Sequence, residues 1–404
     1  MSDDGVPARR VALVYDCLYP YTVGGAERRY HGLVARLARR HRVTYLTRRQ
    51  WPRRTRPEAP SGVRVVSVSG GRRLYTRTGR RKLSVPLRFG LGVLVHLLRH
   101  RRDYDVVHVC SFPYFSLMAA RLACSRGGPA LVTDWLEVWS DGYWRAYLGP
   151  IAGRIGAAIQ RVCIRLTPSA FVLSQLSATG LRKAGFRGTI VMLDGSYDGP
   201  TDVAEEPARR QPLVVFLGRH IREKRVAAVP AAIAAARSRI PEIRGVIFGD
   251  GPERRRVLSE IARLGLADVI DCPGFAPWEQ VDAALRRAMC VLLPSEREGY
   301  GLVVVEAAAR GTPSIVANIS ENAATELIED GRNGVLAASA EPEALAAAII
   351  VLHAAGPALT RSTRAWFAEN RVRTSLDSAL PPIERLYARH PSRAAAEAVR
   401  LRSE

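Results

Sequence analysis

Short apolar runs, each closing on a polar or glycine-bearing loop and followed by a helical stretch, recur along this 404-residue chain and limit its fold more than any other feature. The first is Val11-Ala-Leu-Val-Tyr15, and strands are expected near 43–46, 63–68, 106–109, 130–133, 170–173 and 189–192. Runs of this length suit strands buried on both faces, as parallel sheets require. Helices are expected between them at about 25–40, 83–100, 114–126, 151–166 and 175–184. The segment Asp194-Gly-Ser-Tyr-Asp-Gly-Pro200 is turn-rich, and the polar residues up to Pro212 continue it as a domain boundary. The alternation then restarts, with strands expected near 213–217, 244–248, 269–272, 290–293 and 314–316 and helices near 226–239, 253–264, 278–288, 301–310 and 342–355. The tail, 358–403, reads as wholly helical. Alternating strands and helices argue for an α/β chain of two doubly wound, Rossmann-like domains with a cleft between them. The expected domains are 1–200 and 201–374, with helices from about 375 to 404 packing back on the first.

Charge is unevenly placed. Residues 1–200 hold 33 Lys+Arg against 12 Asp+Glu, a net of +21, whereas residues 201–404 hold 27 against 26, a net of +1. From Arg48 to Lys82 there are twelve basic residues and the single Glu58. Such a stretch suits an anionic partner, a membrane surface or an acidic substrate rather than a nucleic acid, or else forms a solvated face. No apolar run long enough to cross a bilayer is expected. Met1–Arg10 lacks the apolar centre of a signal peptide. The six cysteines fall at no CxxC spacing, so neither a zinc site nor a redox pair is implied, and scattered thiols suit a cytoplasmic setting.

In doubly wound sheets ligands sit beyond the carboxyl ends of the strands, so the loops after Tyr15, Leu217, Phe248 and Leu293 carry the functional information. The last contains Glu298-Gly-Tyr-Gly-Leu302 and Glu306, followed by Gly311-Thr-Pro313. Gly299 and Gly301 flank Tyr300 where the loop should enter a helix, so backbone N–H groups can meet anionic oxygens. Glu298 before the helix and Glu306 within it are candidates to accept sugar hydroxyls, since a carboxylate accepts several O–H bonds. The loop after Leu217 reads Gly218-Arg-His-Ile-Arg-Glu-Lys224, placing cations at Arg219 and Lys224. Phe248-Gly249-Asp-Gly251-Pro, Cys272-Pro-Gly-Phe275 and Val23-Gly24-Gly25 are further turns where backbone could approach a ligand, although a plain turn is an equal reading of the first. Gly24 and Gly25 are not the dinucleotide fingerprint, because the third glycine is missing.

These motifs together resemble the family 4, or group 1, retaining glycosyltransferases, which have the two-domain GT-B fold. The resemblance runs from about Val11 to His353 and is densest over 213–336. It implies transfer of a sugar from a nucleotide diphosphate sugar to a hydroxyl of a glycan, lipid or natural product, with no cofactor and no metal. It implies that Arg219 and Lys224 hold the donor diphosphate, and that Gly24, Gly25, Gly218, Gly249, Phe275, Glu298, Gly299, Tyr300, Gly301, Leu302 and Glu306 line the donor site. Where relatives carry a histidine after the strand at 130–133, this chain reads Thr133-Asp-Trp-Leu-Glu-Val-Trp139. Asp134 or Glu137 stands in that space, Asp134 also being a catalytic candidate, and His108 is a further acceptor-side candidate near a strand end. The aromatics Trp135, Trp139, Tyr143, Trp144 and Tyr147 suit an acceptor site or a core equally. Asp103-Tyr-Asp105 imitates a metal motif but precedes its strand, at the wrong end for a site, and reads as a solvated loop. Three other readings remain: a GT-B-fold sugar epimerase, a basic membrane- or nucleic-acid-binding protein, and a transferase that docks on an anionic membrane through its basic first domain to reach a lipid-linked acceptor.

Overall fold

A computed structural model of the chain describes residues 7–71, 84–125, 127–202 and 210–390, so part of the basic stretch ending at Lys82 and the tail from 391 lie outside the described residues. The chain divides into two compact units, Met1–Asp198 with Leu376–Glu404, and Gly199–Ser375.

The first unit holds seven strands: β1 (Arg10–Val14), β2 (Arg42–Arg48), β3 (Val63–Ser69), β4 (Val106–Cys110), β5 (Ala130–Asp134), β6 (Ser169–Val172) and β7 (Thr189–Met192). Their order is β3-β2-β1-β4-β5-β6-β7, and every pairing is parallel. The helices are α1 (Gly25–Leu37), α2 (Ser84–His100), α3 (Tyr114–Ala123), α4 (Asp141–Leu148), α5 (Pro150–Leu166) and α6 (Gln175–Lys183). One core packs β1, β4 and β5 against Phe89, Val93 and Leu97 of α2, Leu117 of α3 and Ile164 of α5. At the amino-terminal edge, Asp105 is buried rather than solvated, contrary to the sequence reading. Its carboxylate takes the Arg10 backbone N–H at 2.9 Å and the Arg10 guanidinium at 2.9 and 3.2 Å, which ties the start of β1 to that of β4.

The second unit holds β8 (Leu213–Leu217), β9 (Arg244–Phe248), β10 (Ile270–Gly274), β11 (Cys290–Leu293), β12 (Ser314–Ala317) and β13 (Gly334–Ala337), in the order β10-β9-β8-β11-β12-β13, again all parallel. Its helices are α7 (Ala228–Ala236), α8 (Arg254–Arg263), α9 (Trp278–Arg287), α10 (Leu302–Ala308) and α11 (Pro342–Thr374). By length and composition α11 could cross a membrane, against the expectation that no segment would. It packs instead on α7 and β13 and breaks at Gly356, ahead of Pro357, so its apolar face serves the core of this unit.

The tail is not wholly helical. After α11 the chain turns at Ser375, makes a 3-10 turn over Leu376–Ala379, and forms α12 (Leu380–Ala388) as part of the first unit. Arg36 on α1 holds Asp377 at 2.7 Å and Asp198 at 2.5 Å, and Arg40 holds Glu384 at 3.2 Å.

Candidate functional site

In the second unit strand order reverses between β8 and β11, the position at which open α/β sheets leave a crevice beyond their carboxyl ends. The two loops that leave these strands carry Arg219 and Lys224 on one side and Glu298 to Gly301 on the other. They are stitched together. The Glu296 N–H donates to the Glu223 carbonyl at 2.9 Å, and Lys224 Nζ pairs with Glu298 Oε1. Ser295 Oγ donates to the same Glu298 oxygen at 2.8 Å. The side chains of Lys224 and Glu298 are 20% and 11% exposed, so the pair is half-buried yet reachable.

Glu298 is held by backbone as well. Its N–H donates to the Glu321 carbonyl at 3.3 Å and its carbonyl accepts from Ala323 N at 3.0 Å. Asn322 anchors this stretch from beneath. It is buried, and its side-chain amide donates to the carbonyls of Ser295 at 3.1 Å and Ala317 at 2.9 Å. Sequence reasoning missed Ser295 and Asn322, although Ser295 is visible as a hydroxyl three residues before the glutamate. It also missed Arg225, the one described non-glycine residue with positive φ, at 48°. Ion pairs to Glu296 at 2.9 Å and Glu341 at 2.7 Å hold Arg225 in this conformation beside Lys224. A left-handed backbone at an ordinary residue costs roughly 1–2 kcal/mol, so the loop is constrained to its shape rather than relaxed into it.

Gly301 opens α10 at φ 95°, and a Cβ there would stand 2.5 Å from that of Ala324. The glycine therefore allows the loop to close on the 322–327 turn. Leu302 is the first residue of α10; Tyr300 before it and Glu306 inside the helix are both buried. Gly299 is half-buried, and Arg219, two residues after β8, is exposed.

Gly249 has a structural reason of its own. At φ 113° a Cβ would fall 1.9 Å from the Gly218 carbonyl oxygen, so the loops after β8 and β9 abut backbone to backbone. The His220 N–H donates to the Asp250 carbonyl at 2.9 Å, and the Glu253 N–H returns to His220 O at 2.9 Å. The plain-turn reading of Gly249-Asp-Gly251 therefore describes what this glycine touches. Arg254 Nη2 donates to the Cys272 carbonyl at 2.8 Å and braces the end of β10, beyond which Phe275 stands 64% exposed.

In the first unit the acceptor-side candidates lie elsewhere than expected. His108 is in the middle of β4, paired in register with Leu13 and Val132, and is buried rather than at a strand end. Its Nε2 lies 3.0 Å from Asp134 Oδ1, and its Nδ1 hydrogen-bonds with the Tyr387 hydroxyl at 2.7 Å. Asp134, only 1% exposed, also accepts the Tyr30 hydroxyl at 2.6 Å. Burial pushes its carboxyl up, but His108, the nearby Arg29 guanidinium and the Tyr30 bond outweigh this and hold it below the ordinary carboxylate range. A carboxylate so enclosed is committed to its partners, which corrects the picture of an open Asp134 or a poised His108. Glu137 is half-buried and accepts Trp139 Nε1 at 3.1 Å. Gln160 sorts the aromatic cluster. Its oxygen accepts from the Tyr114 hydroxyl, Trp139 N and Trp144 Nε1 at 2.8, 2.9 and 3.3 Å. Trp135 and Trp144 are core; Trp139, Tyr143 and Tyr147 are half-buried, with Trp139 edge to face against both tyrosines, which stack on each other. Gly24 caps α1, and a Cβ at Gly25 would meet nothing within 4 Å.

Residues 201–364 match the family described as Glycosyl transferases group 1, and residues 24–189 match the Glycosyl transferase 4-like domain. The chain belongs to the group 1 glycosyltransferases. This group 1 chain is 26% identical over 211 residues to the alpha-D-kanosaminyltransferase of Streptomyces kanamyceticus, a match that spans 51% of this chain and only about half, 51%, of that relative. Among solved structures it is similar to sucrose-phosphate synthase from Thermosynechococcus elongatus, with a TM-score of 0.76, 18% identity, and coverage of 94% of this chain and 98% of that one. It is also similar to Anabaena HepE in complex with UDP and glucose, with a TM-score of 0.69, 18% identity, and coverage of 94% and 99%. At such identities the likeness is one of fold, the two-sheet α/β GT-B fold of these transferases.

Proposed function

We propose that this group 1 glycosyltransferase moves a sugar from a nucleoside diphosphate sugar to an acceptor hydroxyl, with retention at the anomeric carbon and without a metal ion. The observation that carries the reading is the half-buried Lys224–Glu298 pair at the reversal of strand order in the second unit, with Arg219 exposed on the same loop. Breaking a glycosyl–phosphate bond leaves negative charge on the diphosphate. Fixed cations stabilise that charge as it develops, and here Lys224 is already held in place by Glu298 and Arg225 by two carboxylates. Arg219 and Lys224 are assigned the diphosphate, Glu298 and Glu306 the sugar and ribose hydroxyls, and Phe275 a face of the base. In this reading the donor's own phosphate oxygen takes the acceptor proton, which agrees with a first unit whose Asp134 and His108 are already engaged. UDP bound to HepE supports a uracil nucleotide as the first donor to test.

The test is to incubate the chain with nucleotide sugars, with and without candidate acceptors, and to follow nucleotide release and product stereochemistry by NMR. The expected result is acceptor-dependent release with the anomeric configuration kept and unchanged by EDTA. Sugar interconversion without acceptor would mark an epimerase, an inverted product would refute retention, and loss with EDTA would refute metal independence.

A further inference from the structure

Helix α2 is apolar on both sides. Val85, Phe89, Val93 and Leu97 enter the core, while Leu87, Leu91, Val95 and Leu98 are 49%, 63%, 39% and 51% exposed. The second set recurs every three or four residues and so forms one outward stripe. A helix that is apolar all round is ordinarily buried all round; this one is not. The neighbours continue the pattern. α3 packs against both α2 and α5 and exposes Leu122, and α5 exposes Ile151, Ile155 and Val162 at the same helical spacing. The three segments Ser84–His100, Tyr114–Ala123 and Pro150–Leu166 contain no acidic residue. Their charged residues are all arginines, and Arg88, Arg99, Arg121, Arg154 and Arg165 are exposed. Among the described residues, Arg161 is the one of these six arginines with an ion-pair partner, Asp141 at 2.9 Å.

Exposed aliphatic side chains together with exposed arginines on the same helices are what an interfacial helix presents to lipid: the apolar stripe enters the acyl boundary and the guanidiniums meet anionic headgroups. A second protein would have to bring acidic groups to the same pattern, and a nucleic acid would leave the leucines unsatisfied. We propose that the α2–α3–α5 face of the first unit docks on a bilayer that carries anionic lipid. This places the membrane contact on a described helical layer rather than on the loop from Arg48 to Lys82, and it does not depend on the assignments made to the second unit.

The test is flotation of the full chain with phosphatidylcholine vesicles, with and without phosphatidylglycerol. Binding is expected only, or at least about tenfold more strongly, with phosphatidylglycerol, because each arginine near such a surface contributes. It should weaken as salt rises from about 0.15 M to about 1 M and the Debye length contracts. Leu91→Gln with Leu98→Gln, both at exposed positions, should lower partitioning by about tenfold or more. Arg88→Gln with Arg99→Gln should lower it by about tenfold and flatten the salt dependence. An unchanged thermal midpoint checks that each variant is folded, and the arginine pair tests the proposal even where the leucine pair is not. Absence of binding to phosphatidylglycerol vesicles would overturn the proposal, as would binding indifferent to both variant pairs. So would a wild-type dimer that ignores vesicles and becomes a monomer in the leucine variant, since the stripe would then be a contact between copies.

Discussion

Replacing Lys224 and Glu298 singly and together separates a donor-holding role from a scaffolding one. The pair is half-buried, at 20% and 11% exposure, so its contribution to stability falls between that of exposed pairs, up to about 1 kcal/mol, and the 3–5 kcal/mol that follows breaking a buried one. Lys224→Ala should therefore cost about 1–3 kcal/mol of unfolding free energy, with Ser295 left as the donor to Glu298. Its effect on transfer should be larger in kind. Losing one preorganised group that stabilises charge on the leaving diphosphate costs about 3–4 kcal/mol of barrier, or roughly 10²–10³ in kcat. Glu298→Gln keeps the shape and can still accept from Ser295, but loses the charged bond, and should lower kcat/KM by roughly 10–150-fold. The assay is initial-rate nucleotide release, with urea unfolding run on the same samples. A double-mutant cycle on stability should show coupling, because the two atoms touch. If Lys224→Ala loses stability as expected while transfer and nucleotide-induced thermal stabilisation stay within about threefold of wild type, the pair only braces two loops and the donor assignment is wrong.

Three other outcomes are expected. Asp134→Asn leaves Arg29 and His108 buried without their anion and should cost about 3–5 kcal/mol in urea unfolding. Because the folded Asp134 carboxyl sits below its unfolded value, its stabilisation is present above the ordinary carboxylate pKa and lost as pH falls through the lower folded one; the wild-type-minus-variant difference should shrink there, and a difference that grows on acidification would contradict the network. Gly249→Ala must move a Cβ away from a carbonyl oxygen 1.9 Å distant at φ 113°; it should cost at least about 1–3 kcal/mol of backbone strain and weaken nucleotide binding measured calorimetrically, since the displaced loop carries Arg219. Burial, then His100 and Arg64, push the His96 imidazole down to about 4, so the unfolded chain binds a proton that the folded chain refuses; stability should fall as pH drops from about 6.5 toward 4, and His96→Gln should flatten that slope in thermal melts at several pH values.

The parallel strands were legible because each is a short apolar run with its own bounding loop, and the strand at 189–192 is read to the residue. β13 was missed because Gly334-Val-Leu-Ala337 is too short and too weakly patterned to stand apart from the turn before it. α4 was missed because Asp141–Leu148 mixes aromatics with polar residues, and only its Ser140 cap signals a start. The loops beyond β8, β9 and β11 were legible through glycines and charges that a buried strand cannot carry. What holds them was not. Asn322 and Arg225 act through backbone carbonyls and conformation, and neither leaves a sequence pattern. Asp134, His108 and Asp105 were read as groups near open surface because polarity was taken as exposure. In a doubly wound sheet a polar residue at or within a central strand is buried by position and must find partners there.

That requirement explains why the chain returns to its first unit. Both sheets follow the same order over six strands, the first adding β7 at its edge, but they treat polar groups differently. The second unit leaves Lys224 and Glu298 half-open beyond β8 and β11, where they can change partners. The first encloses Asp134 and His108, and an enclosed ionic network is tolerable only when each member is satisfied. Tyr30 from α1 closes one end of the series, and Tyr387 from α12, fully buried, closes the other at His108. His41, whose ring meets Tyr387, lies 3.7 Å from Glu384 on the same returning helix. The segment from Leu376 therefore completes the polar interior of the first unit, and Arg36–Asp377 and Arg40–Glu384 align it on α1. Without α12, His108 would lose the Tyr387 hydroxyl that partners its Nδ1, and a buried polar group left unpaired costs more than the bond itself contributes.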